Sequence, residues 1–190
     1  MNTEKAIGAV SPDPKEFFHF YRDGQCPNSC IKTSREVFER ISAIAVATFS
    51  QIAEEVPVLK KFTEEIATSN RLVLRIARYF GEDAEYFNAP HDDIDFITIL
   101  PRATKKGFEV LENGIWKGVM AAPDQGIALC GEMLTEATAG QIKPLRHRVV
   151  ASAGERYSMS YFMNPDDNVQ LSPQWKAGDM LKDRLQEIYL

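Results

Sequence analysis

Apolar residues recur at three- and four-residue steps through Val37, Phe38, Ile41, Ile44, Ala45, Phe49 and Ile52, which predicts an amphipathic helix with one buried stripe. Ahead of it, "TSRE", Thr33 to Glu36, fits a capping box in which Thr33 caps the helix and Glu36 reaches back to it. Pro57 interrupts the pattern, and a shorter helix is expected through "VLKKFTEEIAT". From Arg71 the period changes. "RLVLRIARYF" alternates Leu72, Leu74 and Ile76 against Val73, Arg75 and Ala77, as a strand between a core and another face would. Further short strands are expected in "DFITIL", "FEVLE", "IWKGVMA", "GIALCGEML", "HRVVA" and "RYSMSYFM", separated by the turn signals "ENG", "PDQG", "TAGQ" and "SAGE". The tail "AGDMLKDRLQEIY" gathers Met180, Leu181, Leu185 and Ile188 on one side of a last helix.

Many short strands with no helices between them argue against a βαβ fold and for a β-sandwich or jelly roll. A chain of 190 residues is long enough for one well-buried domain and short for two. The expectation is therefore a single, mainly β domain over 1–190 with flanking helices. Its parts are a helical N-terminal part over 1–70, a strand-rich core over 71–165 and a C-terminal helix over 174–190.

Composition narrows the function classes without choosing one. A hydrophobic fraction of 44% and a charged fraction of 26% are ordinary for a soluble globular protein. A net charge of −5 offers no electrostatic footprint for nucleic acid or an anionic membrane. No apolar run approaches the roughly 18 residues that span a bilayer, and "MNTEKAIGAV" has no apolar core of signal-peptide length. A cytoplasmic location, with neither nucleic acid nor membrane as partner, is the expectation. Of the three cysteines, Cys26 and Cys30 in "CPNSC" resemble half a zinc site, but no second Cys or His pair has a matching spacing. Ordinary reduced thiols are the better reading.

The candidate chemistry starts in "NAPHDDIDFITIL", Asn88 to Leu100. There His91 and Asp93 stand two apart where a strand begins, so an imidazole and a carboxylate can face one point. Two ligands are too few for a mononuclear site. His147, in "PLRHRVVA", is a third candidate, since a jelly roll can return that strand to the same mouth. Two His and one carboxylate is the arrangement of non-haem Fe(II) oxygenases, which leaves three positions open. A histidine satisfied on a sheet explains His147 equally. In "ERYSMSYFMNP", Arg156 and Ser158 share one strand face. An inward-facing Arg156 needs an anionic guest or a protein carboxylate, and its planar fork suits a carboxylate. Pairing with Glu155 on the surface is the simpler alternative. His19, among the aromatics of "EFFHFYR", reads as a packed or surface histidine, and Arg75 and Arg78 as structural ion-pair partners.

"HDD" at His91 to Asp93, "RHRVV" at Arg146 to Val150 and "RYSMSYFMNPD" at Arg156 to Asp166 together resemble the Fe(II)/2-oxoglutarate-dependent dioxygenases, nearest to the isopenicillin N synthase-like subgroup. The strands and turns between these motifs, with Trp116 and Gly126, follow the same family. The resemblance covers roughly Pro14 to Leu190. It implies a double-stranded β-helix (jelly roll, cupin-like) preceded by two helices and followed by a C-terminal helix. It implies Fe(II) held by His91, Asp93 and His147, and 2-oxoglutarate bound by Arg156, Ser158 and Tyr79. O₂ would be the oxidant, 2-oxoglutarate would leave as succinate and CO₂, and a small molecule would be hydroxylated, desaturated or cyclised. Trp175 and the C-terminal helix would form a lid over the pocket or pack into the core. The chain departs from the family at Ala77, where many relatives place an asparagine near the co-substrate, and at Gly131-Glu132 in place of Gly-Asp. Asp92 and Asp95 are extra carboxylates that would raise metal affinity or face solvent. The match begins in the middle of the family's N-terminal region, so a reduced member is expected, with a homodimer filling the gap. An oxidase that keeps iron without 2-oxoglutarate and an inert jelly-roll binding protein are the competing readings.

Overall fold

The computed structural model describes residues 13–24, 26–81 and 84–189. Among the described residues, nine strands form two antiparallel sheets. The first holds β1 (Lys15–Tyr21), β2 (Val73–Tyr79), β9 (Arg156–Met163), β4 (Ile97–Pro101) and β7 (Gly126–Cys130), in the order β1-β2-β9-β4-β7. The second holds β3 (Tyr86–His91), β8 (His147–Val150), β5 (Phe108–Glu112) and β6 (Ile115–Gly118), in the order β3-β8-β5-β6. This is a two-sheet jelly roll, open rather than closed into a barrel. The "ENG" signal makes the β5–β6 hairpin: Asn113 and Gly114 both take positive φ, 52° and 77°, as the tightest hairpin turn requires.

Two hydrophobic clusters flank the first sheet. On its outer side lies α1 (Asn28–Glu55), which buries Phe38, Ile41, Ala45, Phe49 and Ala53 at helical spacing. Phe38 meets Tyr161 of β9 at 5.4 Å between ring centroids, and Phe49 stacks on Phe96 at 5.5 Å. Between the sheets lies a smaller cluster of Ala77, Tyr79, Phe87, Phe108, Leu129 and Val149. Pro57 ends α1 as expected, and a 3-10 helix (Pro57–Phe62) leads into α2 (Thr63–Thr68).

Several local expectations fail. The helix starts at Asn28, after Pro27, so Thr33 and Glu36 lie inside α1 rather than at a capping box. The 1–70 part is not wholly helical: "KEFFHFY" is β1, recruited by register with all of β2 from Lys15↔Tyr79 to Tyr21↔Val73. "GIALCGEML" is a strand only as far as Cys130, and Glu132–Ala137 form a short helix, α3. The last helix, α4, spans Ala177–Tyr189. Trp175, Ala177, Met180 and Leu181 join the cluster on the α1 side, so this segment packs into the core and is not a lid. The three cysteines are free thiols, and Cys26 and Cys30 touch at 3.0 Å between sulfurs. No described helix is long and apolar enough to cross a membrane.

Candidate metal centre

β3 and β8 are paired so that His91 lies opposite His147. Facing residues on neighbouring strands project from the same side of a sheet, and the two imidazoles meet with centroids 4.2 Å apart. Asp93 arrives by another route. The chain leaves β3 after His91, and Asp93 sits in the turn leading to β4, so strand alternation is not what pairs it with His91. The turn brings Asp93 Oδ1 to 3.6 Å from His91 Nε2 and Oδ2 to 3.8 Å from His147 Nε2. One ligand atom from each of the three residues lies within 4.8 Å of the others, and no other such His, Cys and carboxylate cluster occurs among the described residues.

Each ligand is held by a partner behind it. His91 Nδ1 donates to the Ala89 carbonyl at 2.8 Å and His147 Nδ1 to the Leu145 carbonyl at 2.9 Å. A carbonyl only accepts, so each Nδ1 carries the proton and each Nε2 presents a lone pair toward Asp93. Thr98 of β4 donates its one hydroxyl proton to Asp93 Oδ2 at 2.6 Å. Behind Thr98 lies Asp95, 3.2 Å from the hydroxyl through either oxygen, with Oδ2 also accepting the Met163 amide at 2.9 Å.

Protonation states follow from burial and neighbours. Burial by itself raises the Asp93 carboxyl, but His147, His91 and the Thr98 hydrogen bond outweigh it and hold it below the usual range. Burial, then His91, push His147 below its ordinary 6.5. Both directions favour an ionised Asp93 and a neutral His147, the forms that bind a metal. Burial, then the Asp93 charge, push Asp95 well above the carboxylate range. The Thr98 hydroxyl stands between the two carboxyl groups, hydrogen-bonded to Asp93 and 3.2 Å from Asp95. Asp95 is thus neither a ligand nor exposed to solvent, and Asp92 pairs with Arg146 at 3.1 Å.

The turn itself is fastened from outside. The amide of Glu132, at the start of α3, donates to the Asp93 carbonyl at 2.8 Å, and that of Met133 to the Ile94 carbonyl at 2.9 Å. Gly131 makes this approach possible: a Cβ there would stand 2.2 Å from the Asp95 carbonyl oxygen.

Arg156, 4% exposed, starts β9 opposite Tyr79 and lies over the Tyr79 ring at 5.3 Å. Its Nε donates to the Lys105 carbonyl at 3.3 Å, while Nη1 is buried with no partner. Burial depresses its pKa, and no described carboxylate offsets that. Glu155 instead pairs with Arg78, which also bonds Glu16 at 2.7 Å, so Arg78 is structural and the surface pairing of Arg156 does not form. Arg156, Ser158, Tyr79 and His147 line one cavity between the sheets. A buried guanidinium with a free Nη1, on the lining of a cavity that also holds His147 of the His-Asp-His cluster, fits a molecule with a carboxylate at one end and metal-binding oxygens at the other.

Residues 73–165 match the family model of the 2OG-Fe(II) oxygenase superfamily. Over these residues the chain is similar to that superfamily's domain. That superfamily uses Fe(II) and 2-oxoglutarate, and the His-Asp-His cluster and the free Nη1 of Arg156 suit both. A gibberellin 2-beta-dioxygenase of Arabidopsis thaliana is 28% identical over 67% of this chain and 39% of its own length. A Shewanella oneidensis protein described as an oxygenase superposes with a TM-score of 0.82 at 29% identity, covering 97% of this chain and 74% of that one. A dioxygenase for auxin oxidation from Arabidopsis thaliana, solved with 2-oxoglutarate, superposes with a TM-score of 0.75 at 19% identity, covering 91% of this chain and 71% of that one, a likeness of fold. The chain spans no more than about half the length of the curated relatives it matches first.

Of the residues expected from sequence, His91, Asp93 and His147 come together, as do Arg156, Ser158 and Tyr79. His19 is elsewhere, 4.9 Å from the Phe17 ring and accepting from Arg75 Nε at 2.8 Å. Sequence reasoning missed Thr98 and Gly131. The one signal for Thr98 was a lone hydroxyl inside the apolar run "FITIL"; for Gly131 it was the resemblance of Gly131-Glu132 to the family's Gly-Asp pair, which gave no reason for the glycine.

Proposed function

We propose that this chain is an Fe(II)/2-oxoglutarate-dependent oxygenase that oxidises a small molecule. The observation that carries the reading is the buried Arg156 guanidinium, whose Nη1 has no partner, on the lining of the same cavity as His147 of the His91, Asp93 and His147 cluster. Fe(II) held by those three residues would supply the redox centre for oxidative decarboxylation of 2-oxoglutarate by O₂ and oxidation of a C–H bond of the substrate. The protein's part is positioning and exclusion. Arg156 and Ser158 would receive the distal carboxylate, and Tyr79 packs under the guanidinium and narrows the far wall. Phe108 and Val149 add apolar lining to the cavity. Thr98 fixes the carboxylate ligand, and the two backbone carbonyls fix the imidazoles.

The Arg156 and Ser158 pair does not by itself separate this reading from an iron oxidase that dispenses with 2-oxoglutarate; co-substrate-dependent succinate formation does. The test is 2-oxoglutarate-dependent formation of succinate by the iron-loaded protein in air. Wild type should form succinate slowly even without its substrate, and Arg156→Ala should not. Oxygen consumption that is indifferent to 2-oxoglutarate would sink the reading. The homodimer stays a proposal, supported by Ile44 on α1 at 57% exposure; a monomeric mass by light scattering removes it.

A further inference from the structure

Asn88 lines the same cavity as Arg156 and His147, at the metal end, and nothing in the proposed machinery uses it. Its amide orientation is decided by its neighbours. Lys15 Nζ contacts Asn88 Oδ1 at 3.0 Å. An ammonium only donates, so the atom facing it is the oxygen and the NH₂ group faces the other way. That group lies 3.2 Å from His91 Nε2. The support is itself fixed. Lys15 is also bonded to Asp13 Oδ2 at 3.0 Å, with both side chains 4% and 3% exposed, and Asp13 Oδ1 accepts the amide of Ala89, next to Asn88.

In the metal-free site Asn88 Nδ2 donates to the lone pair on His91 Nε2. His91 Nδ1 already carries the ring proton, so Nε2 is the atom a metal takes. Metal binding therefore takes away the acceptor that this NH₂ group uses, while Lys15 keeps it aimed at the same place. We propose that Asn88 is a co-substrate-binding residue: its amide donates to the metal-side end of 2-oxoglutarate, while Arg156 holds the far carboxylate. This rests on the function proposed above. It adds a second anchor from β3, opposite the one on β9, so the two ends of a short dicarboxylate are each read by a donor.

The test is an anaerobic titration of the Fe(II)-loaded protein with 2-oxoglutarate, following the visible charge-transfer band, in wild type, Asn88→Ala and Asn88→Asp. Fe(II) affinity is measured separately by calorimetry. A hydrogen bond to a carboxylate predicts that Asn88→Ala raises the Kd for 2-oxoglutarate by about tenfold and shifts the band, with Fe(II) affinity within about twofold of wild type. Asn88→Asp keeps an acceptor for Lys15, so a purely structural role would survive it. Here it should raise the Kd further, because it sets a carboxylate against a carboxylate. A wild-type band with an unchanged Kd in both variants overturns the inference alone. Loss of Fe(II) binding in both variants also overturns it, by placing Asn88 in the support of the metal ligands. A wild type with no band overturns the parent reading and the inference with it.

Discussion

Thr98 and Arg156 are each a buried polar side chain, and the two stand in opposite debt. Thr98 is fully satisfied, and its hydroxyl is the direct tie on Asp93. Thr98→Val keeps the shape and removes the tie, so iron affinity should drop roughly 10–100-fold while the fold holds. An iron titration checks this, and unchanged affinity would mean that the turn alone positions the carboxylate. Arg156 is only partly satisfied, with Nη1 buried and without a partner, which costs stability in the absence of a guest. Arg156→Met should raise the thermal midpoint of the metal-free protein while abolishing 2-oxoglutarate binding; a lowered midpoint would show that the guanidinium stabilises the empty fold. At this scale the sequence was informative about residue types and poor on causes. With only three histidines, the ligand candidates were few. The pairing of His91 with Asp93 was read as strand alternation, yet it is made by a turn, and Thr98 bonds across a fold that periodicity does not describe.

Among the elements, strands with clear alternation and short turns were legible, because one side faces each core. β2, β8 and β9 are of this kind. β1 was not: "EFFHFY" puts aromatics on both faces, and its strand identity comes from pairing with β2. α3 was lost inside a strand reading because it is six residues long and owes its place to the metal turn. That turn and α3 are one unit, joined by the amides of Glu132 and Met133. Gly131→Ala forces a methyl into the Asp95 carbonyl, so it should cost about 1–3 kcal/mol or more in urea unfolding and weaken iron binding with it. A variant with wild-type stability and iron affinity would show that the turn can move away without consequence.

For the whole molecule, the two sheets put a buried histidine and a buried cation on the lining of one cavity, and the first of these makes stability depend on pH. His147 has its pKa depressed below 6.5 by burial and by His91. The folded chain therefore binds fewer protons there than the unfolded chain, so its contribution is intact above 6.5 and is lost as pH falls from that value toward the depressed one. The thermal midpoint of the metal-free protein should fall between about pH 7 and pH 5, and fall less in His147→Asn. Parallel curves for the two would place the titrating group elsewhere. Asp95 acts with the opposite sign: its raised pKa means stability is lost as pH rises through it.

The central claim is that one cavity holds iron at His91, Asp93 and His147 and 2-oxoglutarate at Arg156. The direct measurement is the visible charge-transfer band on adding Fe(II), then 2-oxoglutarate, to the metal-free protein without oxygen. A band in wild type that is lost in His147→Ala, and lost in Arg156→Ala while iron still binds, is the predicted result. Iron bound with no band in wild type, or a band indifferent to Arg156, would contradict it.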